Sequence, residues 1–187
     1  MKVGLAHFER GDYGQAEAFF RRTWALLDED IFLRWRWHIP LLRARGELAL
    51  VMRQYDQAEH YATQSMDMAV QTAARKHVIR AQRLQGDILA ARGHLTEAAQ
   101  TLRTAIRHAK RLRTARELWQ SYAALGKVLL RLGQDKVAES SFRQAIQTIE
   151  AIATDLQMPS LRRSLLHAAP ILEVYALVGG RPPPVAH

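Results

Sequence analysis

Histidines and carboxylates are the residues here that could catalyse a reaction or bind a metal, and their spacing predicts neither activity. The eight histidines are scattered along 187 residues. No two of them stand four residues apart, as the two histidines of a helical zinc site do. The sequence has no cysteine, no glycine-rich phosphate loop and no nucleophile elbow. We therefore expect a protein that is not an enzyme, with no catalytic residue, no metal site and no cofactor.

Cations are the second group of residues with a chemical role, because they attract anions. Lysine and arginine number 27 against 18 aspartates and glutamates, so the formal net charge is +9. The excess is concentrated between residues 75 and 116, where eleven cations stand against two acids. This balance favours acidic proteins, nucleic acids or anionic surfaces as partners.

Targeting features are absent from the sequence. The first residues, "MKVGLAHFERGD", contain no apolar run of the length that a signal peptide needs. No later stretch has the roughly 18 uncharged apolar residues of a membrane span. We therefore expect a cytoplasmic protein that does not bind a membrane, and the lack of cysteine fits a reducing compartment.

A phrase that recurs four times predicts the elements that position these charges. Its alanines are Ala16, Ala58, Ala98 and Ala138, at spacings of 42, 40 and 40 residues, and a glycine precedes each by twelve residues, at Gly4, Gly46, Gly86 and Gly126. Apolar residues follow each alanine at offsets of 4, 8 and 11, and offset 7 holds Thr23, Ser65, Ala105 and Ala145. These offsets lie on one face of an α-helix. Small residues at fixed places let a neighbouring helix approach closely, so the phrase predicts packed helical hairpins.

The turn of each hairpin is predicted five residues before its alanine. These positions hold Gly11, Arg53, Gly93 and Gly133. Glycine predicts a left-handed residue that ends the first helix. We expect the turn at Arg53 to close differently, because arginine is strained in that conformation. The joint between the third and fourth repeats contains no clear helix breaker.

The pattern resembles that of the tetratricopeptide repeat. The match is carried by Gly86, Ala98, Leu102 and Ala105 in one repeat and by Gly126, Ala138, Phe142 and Ala145 in the next. The period exceeds the usual value of about 34 residues, as in the C-terminal arrays of large bacterial ATP-binding transcriptional and signalling regulators. The resemblance implies an all-α, right-handed α-solenoid of about four hairpins. Its repeats are expected at residues 1–30, 35–73, 76–113 and 115–153.

Both ends of the chain depart from the repeat pattern. Met1 stands three residues before Gly4, which suggests that the first repeat lacks most of its first helix. Residues 158–178 are expected to form a helical cap over the last apolar face, with Ser160 as N-cap of its first helix and Pro170 in the first turn of its second. We expect one domain over residues 1–178 and a disordered tail at 179–187.

The resemblance also implies a concave groove, lined by the first helices of successive repeats. Its expected residues are Arg43, Glu47, Leu50 and Val51, then Arg80, Arg83 and Asp87, then Gln120, Lys127, Leu130 and Arg131. The partner expected there is a protein or peptide segment with acidic residues, and the array would be the sensor or adaptor part of a bacterial signalling or transcription regulator. The alternative is that the i,i+4 pairs Arg43–Glu47 and Arg83–Asp87 lie on a solvated face.

Two other functions remain open. The basic run Arg103, Arg107, Lys110, Arg111 and Arg113 is expected on the second helix of the third repeat, which would face the convex side. That run is either a solvated face or a surface for nucleic-acid phosphates, although it lacks interleaved aromatic residues. The third possibility is a homodimer formed through an apolar face of the first repeat around Leu5, Phe8 and Phe19.

Overall fold

Helices account for all the regular secondary structure in the part of the chain that the structure describes. The structure is a computed structural model and describes residues 1–27 and 35–183. These residues form ten α-helices and no strand, which confirms the all-α class. Residues 28–30 of the first predicted repeat and 184–187 of the predicted tail lie outside the described residues. The chain divides into two units, Met1–His94 and Leu95–His187, and the single domain over residues 1–178 stays a prediction.

The first unit contains two helical hairpins and one further helix. Its helices are α1 (Lys2–Glu9), α2 (Tyr13–Leu27), α3 (Trp35–Val51), α4 (Tyr55–Gln71) and α5 (Arg75–Ala91). Helix α1 packs on α2 and α3 packs on α4, while α5 contacts both α3 and α4. Buried Phe20, Leu41 and Leu48 form one apolar cluster, and Ala58, Leu84 and their neighbours form another.

The second unit contains the last full hairpin and the cap. Its helices are α6 (Leu95–Arg111), α7 (Ala115–Arg131), α8 (Asp135–Asp155), α9 (Pro159–Leu166) and α10 (Ala169–Ala176). Helix α7 packs on both α6 and α8, while α9 and α10 pack on α8. Trp119, Ile149, Leu166 and Tyr175 are buried together, so the cap covers the apolar side of the last hairpin as predicted.

Helices α3 to α7 have equal lengths of 17 residues and are separated by loops of three residues. A new helix therefore begins every 20 residues from Trp35 to Asp135. The middle residue of each loop is left-handed, with φ values of 59° at Arg53, 51° at Ala73, 89° at Gly93, 51° at Arg113 and 69° at Gly133. Turns within hairpins and joints between hairpins thus share one conformation.

Backbone hydrogen bonds explain why this conformation recurs. After α3, the N–H of Gln54 donates to the carbonyl of Ala49 at 2.8 Å, and the N–H of Arg53 donates to Leu50 at 3.0 Å. This pattern satisfies the last carbonyls of a helix around a left-handed residue. The expectation that Arg53 closes its turn differently is wrong, because these two bonds outweigh the strain of a side chain at positive φ. The same bonds mark the joint at Arg113 that no sequence feature identified.

The sequence predicted that helices approach closely at the motif glycines, and the contacts at Gly4, Gly46 and Gly126 confirm this. A Cβ atom added to Gly126 would lie 2.7 Å from ring atoms of Phe142, and one added to Gly4 would lie 2.8 Å from the ring of Phe20. Both phenylalanine side chains are buried. In the first and fourth repeats, the phenylalanine four places after the alanine therefore fills the space that the missing Cβ leaves. In the second repeat that position is Ala62, and Leu84 of α5 lies 2.8 Å from the Cβ added to Gly46.

The cap differs from the prediction in one detail. Helix α9 begins at Pro159 with Met158 as its N-cap, so Ser160 lies inside the helix and is not the cap. Proline suits the first helical position because its fixed φ is helical and its missing N–H would have no partner there. Pro170 lies in the first turn of α10, as predicted.

Candidate functional site

Two of the residues expected in the groove, Arg43 and Glu47 of α3, form an ion pair that is largely shielded from solvent. The guanidinium of Arg43 donates to the carboxylate of Glu47 one turn later, and these side chains keep 20% and 29% of their exposure. The Nε atom of Arg43 is buried and has no hydrogen-bond partner among the described residues. A fully solvated i,i+4 pair would not be buried to this degree, so a solvated face does not describe this site.

Charged residues of α5 join this pair. Burial lowers the pKa of the Arg83 guanidinium. The nearby carboxylates of Asp87 and Glu47 raise this pKa, which offsets part of the effect. The neighbouring cations Arg43 and Arg80 lower it further. Because these effects require short separations, five residues of α3 and α5 form one electrostatic group. We call Arg43, Glu47, Arg80, Arg83 and Asp87 the arginine cluster; three cations and two carboxylates give it a formal charge of +1.

One exposed apolar side chain lies beside the arginine cluster at the end of α3. Val51, one helical turn after Glu47, is 47% exposed. Leu50, which the groove prediction also included, is half-buried against the cluster that contains Ala58 and Leu84. The next residue, Met52, is 40% exposed but lies with Arg45, Leu48 and Tyr61 on a different side of α3.

The groove residues of the second unit lie along α7. Gln120 is half-buried, whereas Lys127, Leu130 and Arg131 are exposed. The ammonium of Lys127 lies 2.7 Å from a carboxylate oxygen of Glu173 on α10. The cap therefore already supplies an acid to one of the cations that was expected to bind a partner. No sequence feature predicted Glu173, because its approach to α7 depends on how the cap packs.

The basic run is exposed, but it extends beyond a single helix. Arg103, Arg107, Lys110 and Arg111 lie on α6, whereas Arg113 is the left-handed residue of the following loop, which corrects its placement on the helix. All five side chains are exposed. None of them forms an ion pair with a carboxylate of the described residues.

The face predicted to support a homodimer is partly used inside the first hairpin. Leu5 and Phe8 are half-buried and pack against the cluster that contains Phe20 and Leu41. Phe19 is also half-buried and stacks on His7, with ring centroids 5.3 Å apart. These contacts reduce the apolar area that a second copy would cover, and the homodimer stays a prediction.

The described residues contain neither a cluster of metal ligands nor a helix that could cross a membrane. Between residues 1 and 27 and between 35 and 183, no three histidine, aspartate or glutamate side chains are close enough to hold a metal ion. Within the same ranges, every helix is too short or too polar to cross a membrane.

Comparison with a family model supports the interpretation of the repeat. The model of the tetratricopeptide repeat matches residues 120–151, which run from α7 into α8. A sequence search among curated proteins finds no match to the chain.

Solved structures resemble the fold over nearly the whole chain. A Rap protein complexed with competence and sporulation factor matches with a TM-score of 0.72 and 18% identity, over 94% of this chain and 51% of that one. The Rap conjugation gene regulator of the plasmid pLS20, in complex with the Phr* peptide, matches with a TM-score of 0.70 and 18% identity, over 93% and 49%. BtubC from P. vanneervenii matches with a TM-score of 0.66 and 13% identity, over 95% and 70%.

These similarities concern the fold. At 18% identity or less they establish a shared helical architecture and no shared ligand. The chain spans about half the length of the two Rap structures. Together with the family match, they confirm the tetratricopeptide-type repeat that the sequence predicted.

Proposed function

We propose, from the tetratricopeptide-type fold of this chain, that it is a protein-interaction scaffold that does no chemistry and binds an acidic partner segment. The binding surface is the α3–α5 face, which consists of the arginine cluster together with Val51. A segment that pairs a carboxylate with apolar side chains fits this combination.

One observation carries the proposal: the buried Nε of Arg43 has no hydrogen-bond partner among the described residues. A buried donor that loses water without gaining a partner costs free energy, about 1–3 kcal/mol for a typical group. In this conformation the buried Nε atom is out of a partner's reach, so a carboxylate of a bound segment would accept its hydrogen bond after the Arg43 side chain turns outward. The carboxylate would then meet the excess positive charge of the arginine cluster, and binding would satisfy a donor that the described residues leave without a partner.

Apolar contact supports the same surface. Val51 exposes an apolar side chain at the C-terminal end of α3. Burial of apolar area contributes about 25 cal/mol per Å², so contact with Val51 would add favourable free energy to the charge interactions. Glu47 and Asp87 would repel a carboxylate placed beside them, which restricts the register of the partner segment.

The setting proposed for this scaffold is a bacterial signalling or transcription regulator of the cytoplasm. The support is the long, 40-residue spacing of successive hairpins and the likeness to the Rap structures, one of which holds the Phr* peptide. In such a regulator, binding of a partner segment to the repeats would alter the state of an output domain. In the second unit, a separate contact surface on α7 is proposed at Gln120, Lys127, Leu130 and Arg131.

Peptide selection tests the proposal. We would select binders to the full chain from a displayed library of random peptides and measure their affinities by fluorescence anisotropy. The variant Arg80→Gln/Val51→Asp changes one cation and one apolar side chain of the α3–α5 face. We expect the selected peptides to be enriched in aspartate and glutamate and to lose affinity at least tenfold with this variant, about the effect of 1.4 kcal/mol.

A matched control separates the face from general charge effects. Arg21→Gln/Val70→Asp makes the same changes on α2 and near the end of α4, where Val70 is 61% exposed. The control is expected to bind the selected peptides as the wild type does. Equal losses in both variants, or full binding by the α3–α5 variant, would refute the proposed site.

A further inference from the structure

Helix α6 presents a row of cations that the α3–α5 face does not use. Arg103, Arg107 and Arg111 follow one another at steps of four residues, which place them about 6 Å apart along one side of the helix. Lys110 lies on the same side, and Arg113 follows in the loop. We call these five residues the α6 basic row.

No carboxylate in the described part of the chain neutralises the cations of the α6 basic row. Elsewhere the exposed cations Arg21, Lys127 and Arg143 pair with Glu17, Glu173 and Glu139. The row has no such pair with any described carboxylate, and Glu97, the only acid on α6, stands six residues before Arg103. The interactions that the row does make leave its charge intact: Arg107 donates to the hydroxyl of Thr104 at 2.8 Å, and the ammonium of Lys110 lies 5.6 Å from the ring centroid of Tyr122.

The row also lacks an apolar anchor. Leu102, Ala105, Ile106 and Ala109 are buried, and no large apolar side chain is exposed along Leu95–Arg111, all of which the structure describes. Protein interfaces derive most of their binding free energy from buried aromatic and apolar anchors. Peripheral membrane helices insert an apolar face into the lipid. The apolar face of α6 is already buried inside the protein, so it is not available for insertion.

We propose that the α6 basic row binds the phosphate backbone of a double-stranded nucleic acid without reading its sequence. Phosphate contacts need exposed, unpaired cations and no apolar anchor, and release of counterions supplies the affinity. Sequence-independent binding to single strands would need aromatic stacking platforms. Tyr122, beneath Lys110, is the one aromatic ring that contacts the row within the described residues. The row shares no residue with the α3–α5 face, so the two proposals stand independently.

Salt dependence gives the first test. The full chain is titrated onto a fluorescent DNA duplex of about 20 base pairs at several salt concentrations between about 50 and 200 mM. Five phosphate contacts predict a slope of about −4.5 for the logarithm of the association constant against the logarithm of salt concentration. A slope near zero, or the absence of binding at the lowest salt, would overturn the proposal.

Matched variants then locate the contact. Arg107→Gln/Arg111→Gln removes two cations of the row, and Arg21→Gln/Arg143→Gln removes two cations that are paired elsewhere, so both variants have the same net charge. We expect the first to lose about tenfold or more in affinity and to reduce the slope by about 2, whereas the second binds as the wild type does. Equal effects in both would mean that net charge alone attracts the duplex, and the row would not be the site.

Competing polyanions complete the test. Vesicles containing about one third phosphatidylserine and soluble polyglutamate are measured with the same variants at equal salt concentration. The proposal requires that the duplex bind more tightly than either. Tighter binding of vesicles or polyglutamate, lost in Arg107→Gln/Arg111→Gln, would assign the row to a lipid surface or an acidic protein and would overturn the nucleic-acid assignment.

Discussion

The ammonium of Lys127 on α7 lies 2.7 Å from a carboxylate oxygen of Glu173 on α10. This pair joins a residue that the repeat pattern assigns to a binding groove with a residue of the helical cap. Both side chains are about half exposed, at 47% and 57%. Water therefore screens the attraction, and the pair affects which charges α7 presents more than it affects stability.

The stability contribution of this pair is expected to be small. A double-mutant cycle with Lys127→Gln and Glu173→Gln should give a coupling energy below about 1 kcal/mol, because exposed ion pairs lose most of their attraction to solvent. Urea denaturation of the wild type, both single variants and the double variant measures it. A coupling of several kcal/mol would mean that the cap is held to α7 mainly by this contact.

Gly126 is expected to be intolerant of alanine. An added Cβ would meet the buried ring of Phe142, and overpacking of this kind costs about 1–3 kcal/mol. Gly126→Ala should therefore lower the free energy of unfolding by this amount in chemical denaturation. Gly14→Ala on α2 is the control, because nothing lies within 4 Å of its added Cβ; it should be neutral or stabilising by up to about 1 kcal/mol. Equal effects of the two changes would contradict the helix contact at Gly126.

The uniform three-residue loops predict opposite effects of glycine and alanine at the same structural position. Ala73 adopts a φ of 51°, a conformation that costs a residue with a side chain about 1–2 kcal/mol. Glycine avoids this cost but gives the unfolded chain more conformational entropy, which offsets part of the gain. Ala73→Gly should therefore raise the free energy of unfolding by about 0.5–1 kcal/mol. Gly133→Ala makes the reverse change at φ 69° and should destabilise it. Thermal unfolding of both variants tests the prediction, and shifts in the same direction would contradict it.

Tyr175 is expected to make stability decline in alkaline solution. Burial and the nearby carboxylate of Glu150, which accepts its hydroxyl hydrogen at 3.1 Å, raise its pKa well above the ordinary value near 10. The folded protein therefore keeps a proton that the unfolded chain releases, so this contribution to stability is complete below about pH 10 and is lost as pH rises beyond it.

The variant Tyr175→Phe isolates this effect. It should lose about 1 kcal/mol at neutral pH with the hydrogen bond, and its stability should fall less steeply than that of the wild type between about pH 9 and about pH 11. Urea denaturation across this range provides the measurement. Tyr13→Phe, which changes a tyrosine that is 36% exposed, should retain the wild-type slope. Parallel slopes for wild type and Tyr175→Phe would show that Tyr175 is not the residue responsible.

The sequence by itself determined the helices and their pairing into hairpins. Helical periodicity is local, so apolar residues at offsets of 4 and 8 from Ala98 or Ala138 are enough to define the buried face. The glycines at 4 and 126 indicated close helix contacts for the same reason, because a small residue within an apolar face has few other uses. The turn glycines at 93 and 133 marked left-handed residues that hardly any other residue type would adopt without strain.

Only the tertiary structure decided where charges find partners and how the remaining turns close. Arg53, Ala73 and Arg113 adopt a strained conformation because the hydrogen bonds of the helix end require it, and no local propensity favours it there. Lys127 is paired because α10 approaches α7, whereas the Nε atom of Arg43 is buried without a partner among the residues that the structure describes. Both outcomes depend on how the helices pack. Such contacts join residues far apart in sequence, and periodicity carries no information about which side chains they bring together.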